Sequence, residues 1–340
     1  MILRSAGLIL ALAVCATAVE IPAGRLRMFK PLPPSMESPA NPVSPAKIDL
    51  GRMLYFENRL SKSHKFSCNS CHQLDKYGVD NEPTSEGHKG QRGDRNSPTV
   101  YNAAAHFVQF WDGRAANVEE QAKGPVLNPV EMAMTDEKAV IATLKSMPEY
   151  VALFQKAFPG QSDPVTFDNV ANAIAAFERK LVTPSRWDKF LAGDKSALTE
   201  AEKAGFLKYY EAGCSACHMG TLVGASTYQK AGVAKPWPNQ KDQGRFSVTK
   251  KSEDKMIFKV PSLRNIEKTW PYMHDGKVAT LEEAVRMMGS YNASVKLTDA
   301  DIQSIVTFLK TLTGALPLDY IKPPKLPASS PKTPKPVLSE

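Results

Sequence analysis

Apolar residues recur along this chain with the period of a helix. Val170, Ile174, Phe177 and Leu181 form one stripe, and Ile302, Ile305, Val306 and Leu309 form another, each predicting an amphipathic helix. Polar residues ahead of such stripes mark helix starts. Thr199-Glu200-Ala201-Glu202 has capping-box spacing and predicts a helix through about Tyr210, ended by Gly213; Thr298 and Asp301 start the helix of the second stripe. Leu281, Ala284, Val285 and Met288 lie at i, i+3, i+4 and i+7 and make a further apolar face. The pattern is almost wholly helical, and the expected fold class is all-α.

Two segments interrupt this pattern. Residues 31–45 hold six prolines, and residues 321–340 hold six prolines and four lysines, so both read as extended, polyproline-like stretches, the second a solvated tail. At the start, Arg4 precedes an apolar run over residues 6–14 and the small-x-small sequence Ala16-Thr17-Ala18, which predicts a signal peptide cut near Ala18 and export to the periplasm. The 340 residues suggest two domains, and 42% hydrophobic residues suffice for two cores. Formal charge is +8, which suits an acidic protein partner but forms no focused stripe for nucleic acid.

Apart from Cys15 in the leader, the cysteines number four, and their spacing argues against disulfides. Cys68-Asn69-Ser70-Cys71-His72 and Cys214-Ser215-Ala216-Cys217-His218 are both C-x-x-C-H, the attachment signature of c-type haem. One helical turn puts both thiols where they can add to the haem vinyl groups, with the following histidine beneath the iron. A shared zinc is a poor alternative because 146 residues separate the two motifs. Two covalently bound haem c groups are expected.

An internal repeat ties the halves together. Phe110-Trp111-Asp112-Gly113-Arg114 matches Met273-His274-Asp275-Gly276-Lys277 at an offset of 163, as Ser97-Pro98-Thr99-Val100-Tyr101-Asn102 matches Val260-Pro261-Ser262-Leu263-Arg264-Asn265. The chain reads as two tandem cytochrome c-like helical haem domains, over residues 46–184 and 185–316, between a Pro-rich segment at 19–45 and the tail at 317–340. The second copy is about 17 residues longer between haem motif and repeat.

Differences between the copies carry the chemistry. Met288 lies on the apolar face and is the expected sixth ligand of the second iron, with Met287 a weaker candidate rotated about 100° away. Thioether opposite imidazole favours the ferrous state and makes an electron-transfer haem. At the same offset the first copy has Pro125, which cannot ligate, so that haem uses another residue or stays open. His88, in the glycine-rich loop Glu86-Gly87-His88-Lys89-Gly90, and His106 are candidates. Gln121 takes the place of Ala284 on the haem-facing stripe, and residues 124–132 insert a rigid turn carrying Glu131.

With these motifs the sequence resembles the bacterial dihaem cytochrome c peroxidases over about residues 45–315. The match rests on both haem motifs, Arg95-Asn96-Ser97-Pro98-Thr99, Trp111-Asp112-Gly113-Arg114, Asn128-Pro129-Val130-Glu131-Met132, and His274-Asp275-Gly276 leading to Met288-Gly289. The resemblance implies a peroxidatic N-terminal haem and an electron-entry C-terminal haem. It implies that His88 is a displaceable distal ligand, Glu131 and Gln121 the peroxide-side residues, and Trp111 a tryptophan between the haems. It places an interdomain calcium on Asn96 with the carbonyls of Thr269 and Pro271. Hydrogen peroxide and a small donor, cytochrome c or cupredoxin, are the implied partners, and a homodimer the expected assembly. In the reaction, Glu131 would move a proton between the peroxide oxygens, with Gln121 as hydrogen-bond partner. His274 is expected to hydrogen-bond near the second haem, and His64 and His106 to be ordinary surface or packed residues. Two alternatives stay open: a dihaem electron carrier, and an oxidase acting on a protein substrate as in tryptophylquinone maturation (MauG), whose second haem carries a distal tyrosine where this chain has Met288.

Overall fold

A computed structural model describes residues 18–338, so the signal-peptide reading lies outside the described residues except for Ala18 itself. Three helices frame each half. In the first, α1 (Pro45–Tyr55) is capped by Ser44, α2 (Val118–Leu127) by Asn117 and α3 (Phe167–Glu178) by Thr166, each accepting from an orphan N–H of the first turn. In the second, α4 (Glu200–Glu211) and α6 (Asp299–Lys310) start with the capping boxes expected of Thr199/Glu202 and Thr298/Asp301, and α5 (Leu281–Met288) is capped by Thr280.

The helices cross at close quarters. A Cβ on Gly51 of α1 would lie 1.8 Å from the Ala173 carbonyl oxygen of α3, and one on Gly205 of α4 would lie 2.2 Å from that of Ser304 in α6. Only glycine permits these approaches. Around the first crossing Leu50, Leu54, Tyr55, Ile174 and Phe177 are buried, and around the second Trp187, Phe206, Tyr209, Ile305 and Phe308. Each such side chain contributes roughly 1.5–3 kcal/mol by leaving water.

The repeat in sequence is a repeat in space. α2 and α5 begin at positions 163 apart, and the isolated bridges Gln109–Ala115 and Tyr272–Val278 obey the same offset. Asn102 and Asn265, also 163 apart, both donate from Nδ2 to Thr183 Oγ1 at 2.9 Å. Across the junction the exchange is reciprocal: Asn96 N–H donates to the His274 carbonyl at 2.9 Å, and Lys259 N–H donates to the Trp111 carbonyl at 2.8 Å. The two copies therefore face each other about a quasi-twofold axis.

Two expectations need correction, whereas the mostly helical fold stands as expected. Its little strand is a two-stranded antiparallel ladder in the extra length of the second copy, β1 (Tyr228–Lys230) against β2 (Ile257–Lys259). Its connecting loop reaches the first half, where Arg95 grips Asp242 through Nε and Nη2 at 2.7 and 2.9 Å. First, Pro125 does not open a turn at residue 124; it lies inside α2, and the turn begins at Asn128. The missing proline N–H takes the i+4 donor from the Gln121 carbonyl, while at the helix end Met132 and Met134 fold back to satisfy the carbonyls of Pro125 and Val126.

Second, the proline-rich ends are held against the body of the protein: the tail's four lysines are exposed, as expected, but Ile321, Pro327 and Thr333 are buried. Phe29 inserts edge-on to Trp187 and Phe206 in the second core, at 5.6 and 5.5 Å. Arg179 then clasps the Met36 carbonyl and pairs with Glu119 at 2.6 Å. At the other end Tyr320 stacks on Phe177 of the first core at 5.0 Å. Beyond it, Arg59 holds the Pro327 carbonyl at 2.8 Å, Ser330 Oγ donates to the Ser146 carbonyl at 2.6 Å, and Val337 N–H donates to the Lys62 carbonyl at 2.9 Å. These contacts join residues far apart in sequence, which local periodicity cannot report.

Candidate functional site

Each C-x-x-C-H motif opens into its own cavity. Cys68 to Cys71 form a single helical turn boxed by Ser67 and Ser70, and Cys214 to Ala216 a tighter turn after the left-handed Gly213. A buried tyrosine from the neighbouring helix fixes each histidine backbone: Tyr55 donates to the His72 carbonyl at 2.7 Å and Tyr209 to that of His218 at 2.5 Å. Burial pushes the Cys68 thiol up, and those of Cys71 and Cys214 to about 11, so these three stay protonated. Burial also lowers His72, and His218 to about 4, keeping both imidazoles neutral and fit to ligate a metal. Two thiols, one neutral imidazole and mainly apolar walls make each cavity a fitting site for covalently attached haem.

The first cavity, about 170 Å³, brings together residues far apart in sequence. Cys68, Cys71 and His72 share it with Gln121 of α2, Glu131 from the turn after α2, Arg114 and Trp111. Glu131 Oε1 accepts from Asn128 Nδ2 at 2.7 Å, within its own turn. Burial raises the pKa of this carboxyl, with Arg114 and Asn128 pulling the other way. Arg114, a cation lying 3.4 Å over the Phe110 ring and paired with Asp112, is named in the Trp111–Arg114 motif but is given no role there.

His88 does not line this cavity, although Gly87 beside it does. The loop is pressed against the Glu131 turn, where His88 N–H donates to the Glu131 carbonyl at 2.8 Å and a Cβ on Gly87 would lie 2.1 Å from the Val130 carbonyl oxygen. The imidazole itself is buried, with Nδ1 unpartnered. In this arrangement the His88 ring is not among the residues that line the cavity.

The second cavity is larger, about 530 Å³, and differs as the repeat comparison expects. Leu281, Ala284, Val285 and Met288 of α5 line it together with Cys214, Cys217 and His218; Met287 does not. Asn96, Thr269 and Pro271 are also among the many residues that line it. Asn96 spends its amide nitrogen on the carbonyls of Glu82 and Pro83.

Trp111 belongs to the walls of both cavities. Its Nε1 donates to the Asn96 carbonyl at 2.9 Å, and its ring meets that of His274 edge-on at 6.5 Å. His274 is stacked on Phe258 at 4.4 Å with Nε2 buried and unpartnered, so the hydrogen bond expected of its ring is not made within the protein. His106 is packed, as expected, but it too lines both cavities. His64 is partly buried and lines neither.

Comparison with known proteins agrees with this geometry. Residues 45–196 match the family model for di-haem cytochrome c peroxidase, and residues 203–313 match that for cytochrome c. The chain is 46% identical to cytochrome c551 peroxidase of Pseudomonas aeruginosa, the alignment covering 91% of this chain and 90% of that one. It is 49% identical to cytochrome c551 peroxidase of Nitrosomonas europaea, covering 87% and 89% respectively. Among solved structures, a MauG-like protein associated with microbial copper homeostasis superposes with a TM-score of 0.74 at 30% identity, over 91% of this chain and 98% of that one. Two haem-binding halves joined about a quasi-twofold axis, with identities of this size over nearly the whole chain, mean that this protein belongs to the dihaem cytochrome c peroxidase family.

Proposed function

We propose that the protein reduces hydrogen peroxide to water in the first cavity, using two electrons from a small soluble cytochrome c or cupredoxin that enter at the second. The observation that carries this reading is the asymmetry of the cavities: Gln121 and Glu131 line the one around His72, whereas Met288 lines the one around His218. Cys68, Cys71 and His72 would hold one haem, and Cys214, Cys217, His218 and Met288 the other. The haems supply peroxide binding and one-electron transfer. Glu131 accepts the proton of the proximal peroxide oxygen and returns it to the distal one, so that one water departs as the O–O bond breaks; two protons from solvent, with the two electrons, convert the remaining oxygen to the second water. Gln121 orients peroxide by hydrogen bonding, and Trp111 is the relay between the cavities. His88 serves as a displaceable ligand that is withdrawn in the active arrangement. Calcium held by Asn96 with the carbonyls of Thr269 and Pro271 stabilises the junction.

The excess of basic charge suits an acidic electron donor, and the leader suits a periplasmic enzyme, for which we propose a homodimer. Met288 sets this reading apart from an oxidase acting on a protein substrate, and Glu131 from a simple electron carrier. Mixing the holoprotein with peroxide and a reduced small cytochrome c tests it. Oxidation of two cytochromes per peroxide is expected, and no oxidation beyond the uncatalysed rate overturns the reading.

A further inference from the structure

The wall shared by the two cavities contains a buried charge that the mechanism does not use. Lys259, at the end of β2, is 4% exposed and lines both cavities. Its Nζ lies 2.9 Å from His106 Nδ1, itself a member of both walls. The other cationic side chains around the first cavity are neutralised: Arg95 binds Asp112 and Asp242, and Arg114 binds Asp112. Among the described residues, Lys259 Nζ has no carboxylate at ion-pair distance. A buried ammonium without an anion costs several kcal/mol, and burial accordingly drags its pKa to about 7, with distant Asp112 opposing.

The repeat says what this position does. Lys259 stands 163 residues after Asn96, and the two make the reciprocal backbone contacts of the quasi-twofold, Asn96 to His274 and Lys259 to Trp111. One copy thus offers an amide oxygen at the junction, and the other an ammonium. The anion that a haem c brings into such a cavity is carboxylate, since each porphyrin carries two propionates. We propose that Lys259, positioned by His106, is a binding residue for a haem propionate at the wall between the two cavities. The proposal rests on haem occupying both cavities. His106 accepts one ammonium proton and leaves the other two for the carboxylate, which on arrival restores the full charge of the lysine.

The test uses the holoenzyme with Lys259→Met, Lys259→Arg and His106→Gln, read by haem content per chain and by spectroelectrochemical titration of both haems. Loss of the cation disfavours the ferrous state of the haem whose propionate it binds. In Lys259→Met the reduction equilibrium of at least one haem should fall on the order of tenfold, or about 59 mV for one electron. Lys259→Arg and His106→Gln, which keep the charge, should stay near wild type. If Lys259→Met instead loses a haem that Lys259→Arg retains, the carboxylate role is equally supported. Two haems with unmoved potentials in Lys259→Met overturn the inference, as does a haem loss that arginine does not repair. Fewer than two haems in the unmutated chain would refute the underlying reading instead.

Discussion

Replacing Glu131 by glutamine tests the proton-transfer role most directly. The side chain is anchored by one hydrogen bond, from Asn128 Nδ2 to Oε1 at 2.7 Å, and a glutamine carbonyl oxygen can accept the same bond. The change therefore weakens a charge-assisted contact to a neutral one, a structural loss of about 1 kcal/mol. The chemical loss is larger. A positioned general acid/base contributes about 10²–10⁴ in rate, or about 3–5 kcal/mol of barrier. Steady-state oxidation of reduced cytochrome c at saturating peroxide should fall by that factor, with haem content and both midpoint potentials preserved. The pH profile adds a second reading. Glu131 begins as a base and must be ionised, while burial raises its pKa against the pull of Arg114 and Asn128. Activity should thus be lost as pH falls through a value above the ordinary carboxylate range of about 4.3, and this limb should vanish in the variant. A Glu131→Gln enzyme with both haems, turning over within threefold of wild type, would refute the assignment and leave the carboxylate as a brace for the turn.

Other expectations follow from the same geometry. Met288→His should lower the midpoint potential of the second haem, because thioether ligation favours ferrous iron; unchanged potentials and spectra in Met288→Leu would remove Met288 from the iron. If His88 is displaced on activation, one-electron reduction of the resting enzyme should convert a low-spin haem to high-spin and raise peroxidase turnover; equal rates in both states would argue against it. Gly205→Ala should destabilise the α4–α6 crossing by about 1–3 kcal/mol, seen as a lower denaturant midpoint, since a methyl group has no room against the Ser304 carbonyl. Arg59→Met should cost about 3 kcal/mol by the same measurement, because it strips the counter-ion from Glu57, a carboxylate 1% exposed.

What the sequence disclosed and what it hid divide along a physical line. Thr199, Thr298 and the α5 stripe act within a few residues of themselves, so capping and helical spacing announced them, and the placement of Met288 over Met287 followed from 100° of rotation per residue. The haem motifs and the repeat were equally legible, being patterns in the chain itself. The places of Arg114, Lys259 and His106 in the cavity walls were not, because those walls are assembled by remote segments. His88 was identified as a candidate, but its place outside the cavity wall depends on the fit of Gly87 against Val130, more than forty positions away. The tail's exposed lysines were legible, but its anchoring was hidden for the same reason, since Arg59 and Ser146, which receive it, are remote in sequence.

The packing of the two ends has a consequence for how the molecule comes into being. Phe29 completes the second core, and Tyr320 and Ile321 complete the first, so neither haem-binding half is a contiguous stretch of chain. A cut near the seam at Pro184 yields two fragments, each lacking a piece of its own interior and carrying one of its neighbour's. Each half therefore depends on the other's stretch of chain to complete its own interior.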